Sequence, residues 1–300
     1  IKMKIFIKEH TFGAGKWVYE GYMSAWENLG FEVEYYDSLD SLSNLNIGEY
    51  DIMSIDHDLS SDNIDVLNKA RRAYLFAQPT KFPLPWGEHP NFRSTCNIDV
   101  IKQTNSMKNI KKWTFAKVNK EYYESWEDIN TILLGFDNIN YKPVEDSSMK
   151  YDICYVGGWA NNGFNEKANI MIEHFKEIKK LNLRCGILIN KNISLDNEMK
   201  LLYNSKIAIN IHDAYQRQLG LDTNERTYKA LGLTGFLISD KVEMLDDVFP
   251  EIPQAPTPKK MAELITQYMD LNLDEIKEKN RQNILENHTY VNRAKQLMEL

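Results

Sequence analysis

The residue types best suited to bind an anion lie together in the second half of the sequence. Residues 224–229 read Asn-Glu-Arg-Thr-Tyr-Lys. On a helix, Arg226 and Lys229 would stand one turn apart, near an N-terminus whose free N–H groups and dipole also attract negative charge. The pair could therefore bind a diphosphate through charge-assisted hydrogen bonds. Such spacing is also typical of an ordinary charge pair on a solvated helix face.

A second group, Asp56-His57-Asp58, follows the apolar run 50–55 in the first half. As an Asp-x-Asp motif, its carboxylates could hold a divalent metal on the diphosphate of a substrate. Alternatively, Asp56 or His57 could be the catalytic base that removes the proton of a substrate hydroxyl, with His10 as a further candidate. An Asp at a strand end also commonly caps the next turn, and the sequence leaves these alternatives open.

Two glycine pairs follow predicted strands in the same way. Gly13 and Gly15 come after the first strand, and Gly157 and Gly158 come after the strand at 151–156. Glycines at this position let the backbone approach a phosphate, although a tight turn needs them equally. Neither pair has the GxGxxG spacing of a dinucleotide-binding enzyme, which disfavours a dehydrogenase or epimerase that uses such a cofactor.

Strand-like and helix-like segments alternate in both halves and would position these groups. The first half has strand candidates at 3–7, 31–36, 50–55, 72–77, 113–118 and 131–134, and the second at 151–156, 183–189, 206–211 and 235–239. Such alternation predicts α/β domains with parallel sheets, whose ligands bind beyond the carboxyl ends of the strands. The polar stretch 141–150 predicts a boundary between domains 1–145 and 146–300.

Three segments carry a family resemblance. The run 224–240, which ends in Gly-Phe-Leu-Ile-Ser-Asp, resembles the C-terminal signature of the group 1 glycosyltransferases, and in particular their spore-protein (CgeB-like) branch. Residues 286–294, Glu-Asn-His-Thr-Tyr-Val-Asn-Arg-Ala, are similar to the closing helix of that branch. Residues 151–158 are similar to the first strand and glycine turn of its donor domain. The resemblance covers about residues 150 to 300 well, and the first half only in outline, through Leu-Gly-Phe-Asp at 134–137.

The resemblance implies the GT-B fold: two Rossmann-like domains facing a central cleft, with a C-terminal helix crossing back to the N-terminal domain. It implies a glycosyltransferase that moves a sugar from a nucleotide-diphosphate sugar, usually a UDP sugar, to a hydroxyl without a metal or any cofactor besides that co-substrate. The N-terminal domain would bind the acceptor and the C-terminal domain the donor. The implied donor-binding residues are Gly13, Gly15, Gly157, Gly158, Asn210, His212, Asn224, Arg226, Thr227 and Lys229.

One position departs from the family. Lys229 stands where the family usually has a Glu that receives the ribose hydroxyls of the donor, and a lysine cannot accept a hydrogen bond. Either Lys229 contacts phosphate, or another residue serves the ribose, or the donor differs. A non-catalytic nucleotide-sugar-binding module and a metal-dependent Asp-x-Asp transferase therefore stay open as alternatives.

Composition bounds the acceptor and the compartment. The formal net charge is −7, which disfavours a nucleic acid and favours a hydroxyl on a glycan, small molecule or protein. The three cysteines form no CxxC pair, as expected of buried thiols in a reducing compartment. With no apolar run of about 18 residues and no signal-peptide pattern, we expect a cytoplasmic protein without a membrane span.

Overall fold

The computed structural model describes residues 2–11, 13–159 and 166–300. The chain divides into two compact units, of which unit 1 comprises Ile1–Leu134 and Tyr290–Leu300, and unit 2 comprises Gly135–Thr289. Phe12, within the first glycine loop, lies outside the described residues.

Unit 1 is built on a parallel sheet of six strands. The strands are β1 (Lys4–Lys8), β2 (Glu32–Tyr36), β3 (Tyr50–Ile55), β4 (Arg72–Phe76), β5 (Ile110–Thr114) and β6 (Asn130–Thr131), and the helices between them are α1 (Gly13–Asn28), α2 (Ile64–Lys69) and α3 (Ile98–Ser106). The strand order is β2-β1-β3-β4-β5-β6. Ile5, Ile7 and Ile52 are fully buried, as expected of the apolar runs that form parallel strands covered on both faces.

Unit 2 repeats this plan with a parallel sheet of five strands in the order β11-β10-β9-β7-β8. Its strands are β7 (Ile153–Gly157), β8 (Cys185–Ile189), β9 (Ile207–Asn210), β10 (Leu237–Asp240) and β11 (Gln254–Ala255). Its helices are α4 (Lys167–Lys179), α5 (Leu195–Asn204), α6 (Ala214–Leu219), α7 (Glu225–Leu233), α8 (Glu243–Val248), α9 (Pro258–Met269) and α10 (Asp274–Asn287). The predicted fold class, α/β with two Rossmann-like units, is confirmed.

Each sheet has a switch point, where the chain reverses the direction in which it adds strands. In unit 1 the switch point lies between β1 and β3, and in unit 2 between β7 and β9. Loops leave the two strands in opposite directions there and open a crevice at their carboxyl ends. These two crevices are where ligands are expected.

The last helix, α11 (Tyr290–Met298), returns to unit 1, as the family resemblance implied. It packs on α1, where the rings of Tyr22 and Tyr290 lie 5.0 Å apart. Gly21 makes room for this contact, because a Cβ there would come within 2.3 Å of the Tyr290 ring. Arg293 donates from Nε to the carbonyl oxygen of Leu134 at 2.9 Å.

The boundary falls between Leu134 and Gly135 rather than at the predicted 145/146, and the second unit ends at Thr289 rather than at residue 300. Residues just after the boundary pack within unit 2. Phe136 donates its N–H to the carbonyl oxygen of His288 at 2.8 Å, and the Tyr141 hydroxyl donates to Glu198 Oε2 at 3.2 Å. These contacts hold the polar stretch that looked like a linker.

Among the described residues, no helix combines the length and apolarity that crossing a bilayer requires.

Candidate active site

The switch point of unit 2 gathers most of the predicted donor-binding residues. β7 ends at Gly157, β9 ends at Asn210, and α7 begins beside them with Glu225 after its N-cap residue Asn224. Asn210, His212 and Asp240 are all fully buried at these strand ends. Buried polar groups need hydrogen-bond partners, so the partners of each residue decide whether it can also bind a ligand.

Among the described residues, Arg226 is the cation of this group that forms no ion pair with a carboxylate. Its Nε donates to the carbonyl oxygen of Val156 at 2.8 Å and its Nη1 to Asn210 Oδ1 at 3.1 Å. The guanidinium lies 4.6 Å from the centre of the Tyr155 ring. Within the described part of the chain no carboxylate forms an ion pair with it, so its remaining N–H donors and its charge are available to an anion.

The glycine turn has a steric role in this arrangement. A Cβ on Gly157 would lie 2.1 Å from Arg226 Nη2, so a side chain there would displace the guanidinium. A Cβ on Gly158 would lie 2.6 Å from Asn190 Oδ1. The absence of a side chain at Gly157 therefore lets Arg226 lie directly over the end of β7.

Lys229 does not join Arg226 but lies in an ion-paired cluster of its own, and its contact with the donor diphosphate stays a prediction. Its ammonium lies 3.0 Å from Glu198 Oε1 and 3.6 Å from Glu225 Oε1, and 4.6 Å from the centre of the Tyr141 ring. Although burial lowers the Lys229 pKa, the carboxylates of Glu225 and Glu198 outweigh that effect and raise it. An ammonium already neutralised by two carboxylates has little charge to offer a phosphate.

The second cation beside Arg226 is Lys167, which sequence reasoning did not single out. It is the first residue of α4 and is only 3% exposed. Its Nζ donates to the carbonyl oxygen of Ile211 and lies 3.4 Å from Asp213 Oδ1. Burial, together with the nearby charge of Arg226, lowers the Lys167 pKa to about 8. Its position at the start of the helix after the glycine turn was the signal that could have revealed it.

His212 and Asn210 are brought to the predicted place, but as parts of a hydrogen-bonded network. His212 Nδ1 lies 2.7 Å from Asp240 Oδ1, and its Nε2 lies 2.7 Å from Thr223 Oγ1. Asn210 donates from Nδ2 to Asn224 Oδ1 and to Thr227 Oγ1, each at 2.9 Å. Both ring nitrogens of His212 are hydrogen-bonded within this network, and its contact with the donor phosphate stays a prediction. Its pKa is lowered by burial, so the ring is neutral at physiological pH.

At the switch point of unit 1, Asp56 is buried directly after β3. Its Oδ2 accepts the backbone N–H of Gln78 at 3.1 Å, whereas Oδ1 has no hydrogen-bond partner among the described residues. Burial raises the Asp56 pKa. His57 is exposed, and its Nε2 is hydrogen-bonded to Gln78 Oε1 and lies 3.8 Å from Asp56 Oδ1. A buried carboxylate with a raised pKa is a stronger base than an exposed one.

Two further buried polar atoms at this switch point, His10 Nε2 and Tyr19 OH, also have no hydrogen-bond partner in the described part of the chain, whereas Asp58 Oδ2 forms an ion pair with Lys8. The His10 and Tyr19 rings lie 4.0 Å apart. Burial, with Lys8 and His57 nearby, lowers the His10 pKa to about 4, and Asp58 lies 3.5 Å from Lys8 Nζ. Such atoms mark a place where a polar ligand would complete the hydrogen bonding.

The glycines of the first loop have local roles here. Gly13 adopts φ +67° at the start of α1, a conformation that favours glycine. A Cβ on Gly15 would come within 3.0 Å of His10 Nδ1. As for the Asp-x-Asp interpretation, the described residues contain no group of three His, Cys, Asp or Glu side chains arranged to hold a metal ion.

Comparison with known proteins agrees with this architecture. Residues 158–299 match the family described as glycosyl transferase-like, whereas no curated protein sequence matches the chain. The structure is similar to AviGT4, a glycosyltransferase of avilamycin A biosynthesis, with a TM-score of 0.62 and 10% identity over 99% of this chain and 96% of that one.

Two further solved structures share the fold. An alpha-glucosyltransferase in complex with UDP-glucose and DNA containing an abasic site aligns with a TM-score of 0.59 and 11% identity over 99% of this chain and 98% of that one. Anabaena Alr3699/HepE in complex with UDP aligns with a TM-score of 0.56 and 10% identity over 100% and 99%. Together with the two parallel sheets, these likenesses show that the chain has the GT-B fold.

Proposed function

We propose that the protein is a glycosyltransferase that uses a nucleoside-diphosphate sugar, of which a UDP sugar is the first candidate, and transfers its sugar to a hydroxyl group. The observation that carries the proposal is the pair Arg226 and Lys167 at the switch point of unit 2. Arg226 has no carboxylate partner among the described residues, and Lys167 Nζ, next to the Ile211 carbonyl oxygen and Asp213, has a pKa lowered to about 8, chiefly by burial. The solved relatives that hold UDP or UDP-glucose support the choice of donor.

The donor diphosphate would lie over the Gly157-Gly158 turn, where Arg226 and Lys167 can each donate to its oxygens. α4 and α7 begin beside this turn, so their N-terminal N–H groups and dipoles add to the two side-chain charges. Preorganised donors of this kind stabilise the charge that develops on a leaving diphosphate. We therefore propose transfer without a metal ion.

Asp56 is the proposed base. Its carboxylate would take the proton of the acceptor hydroxyl while the acceptor oxygen bonds to the anomeric carbon of the sugar. The bond from that carbon to the diphosphate breaks, and the nucleoside diphosphate leaves with the electron pair. His57 and Gln78 flank Asp56, and the unpartnered Tyr19 hydroxyl and His10 Nε2 could hold the acceptor hydroxyl by hydrogen bonds.

The acceptor is proposed to be a neutral glycan, a small molecule or a protein hydroxyl. One solved relative is a complex with DNA, but the net charge of −7 opposes a polyanionic acceptor here. Unit 1 also places Asp37, Asp56 and Asp58 around its switch point, which adds to that repulsion.

The proposal is tested by a thermal-shift screen of the protein against UDP, GDP, dTDP, ADP and the corresponding sugars. A ligand at 100 times its dissociation constant adds about 2.7 kcal/mol of stability, which gives a clear shift. We expect UDP and one UDP sugar to shift the unfolding temperature, and the sugar to be released or transferred on incubation. No shift with any nucleotide would contradict the proposal, and binding without turnover against an acceptor panel would favour a non-catalytic binding module.

A further inference from the structure

The buried polar residues of unit 2 form one continuous chain of hydrogen bonds that ends on Arg226. In order, its members are Asp240, His212, Thr223, Thr227, Asn210 and Arg226. Successive polar atoms are separated by 2.7 Å, 2.7 Å, 2.7 Å, 2.9 Å and 3.1 Å. We call this set the Asp240–Arg226 chain.

The direction of every bond in the chain follows from its ends. A guanidinium can only donate, so Asn210 accepts from Arg226 through Oδ1 and donates through Nδ2 to Thr227 Oγ1. At the other end, Asp240 accepts the proton on His212 Nδ1, and the neutral ring then accepts through Nε2 from the Thr223 hydroxyl. Because that hydroxyl has one proton to donate, Thr223 accepts in turn from the Thr227 hydroxyl.

The other end of the chain agrees with this direction. Although burial acts to raise the Asp240 pKa, its contacts with His212 bring it to about 2, so the carboxylate is ionised. Its Oδ2 also accepts the backbone N–H of His212 at 2.9 Å and lies 3.3 Å from Arg217 Nε. The reverse order of donors would set an unprotonated Nδ1 against that carboxylate, which is unfavourable. The chain thus has one arrangement of protons.

We propose that Asp240, His212, Thr223 and Thr227 are positioning residues for the donor diphosphate, which act by holding the Arg226 guanidinium in place through this chain. The first three are at most 4% exposed and Thr227 is fully buried, so none of them presents a polar atom to the donor. An arginine side chain loses considerable rotamer freedom on binding, and holding it beforehand removes that cost from the binding step. The inference rests on the proposed diphosphate contact of Arg226.

The decisive variant is Thr227→Val, which keeps the side-chain shape and removes the hydroxyl that joins Asn210 to Thr223. Binding of UDP is measured by calorimetry. Losing one such bond costs up to about tenfold in affinity, and we expect that loss for Thr227→Val, with most of the affinity kept in Thr227→Ser. Thr234→Val is the matched control, because Thr234 is a buried threonine at the other end of α7 whose hydroxyl donates to the carbonyl oxygen of Leu202 at 2.6 Å. It should bind UDP as the wild type does.

A double-mutant cycle separates positioning from general damage. If Thr227 acts through Arg226, then Thr227→Val should weaken UDP binding no further in an Arg226→Ala background. Nitrogen NMR of His212 should show the Nδ1-protonated tautomer in the wild type and lose it in Asp240→Asn. The inference is overturned if Thr227→Val binds UDP like the wild type, or if its loss persists in full beside Arg226→Ala. Failure of the wild type to bind any nucleoside diphosphate would instead remove the proposed function, and this inference with it.

Discussion

Both units place polar side chains at the strand ends beside their switch points, but the two groups are bonded differently. Between β7 and β9, the ring nitrogens of His212 and the side-chain amide of Asn210 all have partners, and Arg226 has no ion pair with a carboxylate among the described residues. Between β1 and β3, Asp56, His10 and Tyr19 each keep a buried polar atom without a hydrogen-bond partner among the described residues.

The difference suggests two kinds of binding. A saturated network with fixed cations is preorganised for a ligand of constant chemistry, such as the diphosphate of a donor. Carboxylates and rings with open bonding capacity suit a group that arrives with its own donors and acceptors, such as an acceptor hydroxyl. The predictions below test this contrast between a donor side and an acceptor side.

The largest effect is expected for Asp56→Asn, which keeps the shape of the side chain and removes the base. The transfer rate should fall about 10²- to 10⁴-fold, as is typical for loss of a general base. The affinity for UDP should stay within about twofold, because Asp56 belongs to the acceptor side. Both are measured on the same preparation, by product formation and by calorimetry.

Asp51→Asn is the matched control for this prediction. Asp51 is also buried and lies near the start of the same strand, β3, where it pairs with Arg71 at 2.6 Å. It should slow transfer little once the protein is folded. Equal losses in the two variants would mean that Asp56 matters for folding and not for proton removal.

A smaller effect is expected from pH. The Lys167 pKa is lowered to about 8, so the free protein loses this positive charge as the pH rises through that value. A bound diphosphate stabilises the charged form, hence UDP affinity should fall up to about tenfold between about pH 7 and 9. The transfer rate depends on Asp56 in the opposite direction. It should increase as the pH rises through the elevated Asp56 pKa, because the carboxyl group then becomes the carboxylate that acts as the base. Transfer should therefore be bell-shaped in pH, and Lys167→Met should abolish the alkaline fall in affinity.

The smallest effect on binding is expected for Lys229→Met. This change leaves the carboxylates of Glu198 and Glu225 without their ammonium, and breaking a buried pair costs about 3 kcal/mol or more of stability. UDP affinity at a temperature where the variant is folded should equal that of the wild type. Urea unfolding and calorimetry give the two quantities. Weaker UDP binding with unchanged stability would restore Lys229 to the donor site.

The alternation of strands and helices in the sequence predicted both sheets because parallel α/β units show it locally. The boundary was less predictable, since the contact of Phe136 with His288 joins residues far apart in the chain. The partners of Lys229 and His212 could not be predicted because they are also distant in the sequence: Glu198 lies on α5, and Asp240 ends β10. A motif indicates which residue types come together locally, but compensation of a charge depends on residues that only the fold brings near.

Arg226 itself was predictable because its position at the start of α7 and its charge are both local features. The chemistry of Lys167 was only partly predictable from the sequence. Its place after the glycine turn can be read from the sequence, whereas its lowered pKa comes from burial beside Ile211 and Arg226.

The central claim is that the uncompensated guanidinium of Arg226 holds the donor diphosphate. The most direct measurement is a calorimetric titration of UDP into the wild type and into Arg226→Ala under the same buffer and salt. A charge-assisted contact to phosphate contributes about 1.5–3 kcal/mol, so the variant should bind UDP about ten- to a hundredfold more weakly while unfolding at a similar urea concentration. Equal affinity in the two proteins would contradict the account.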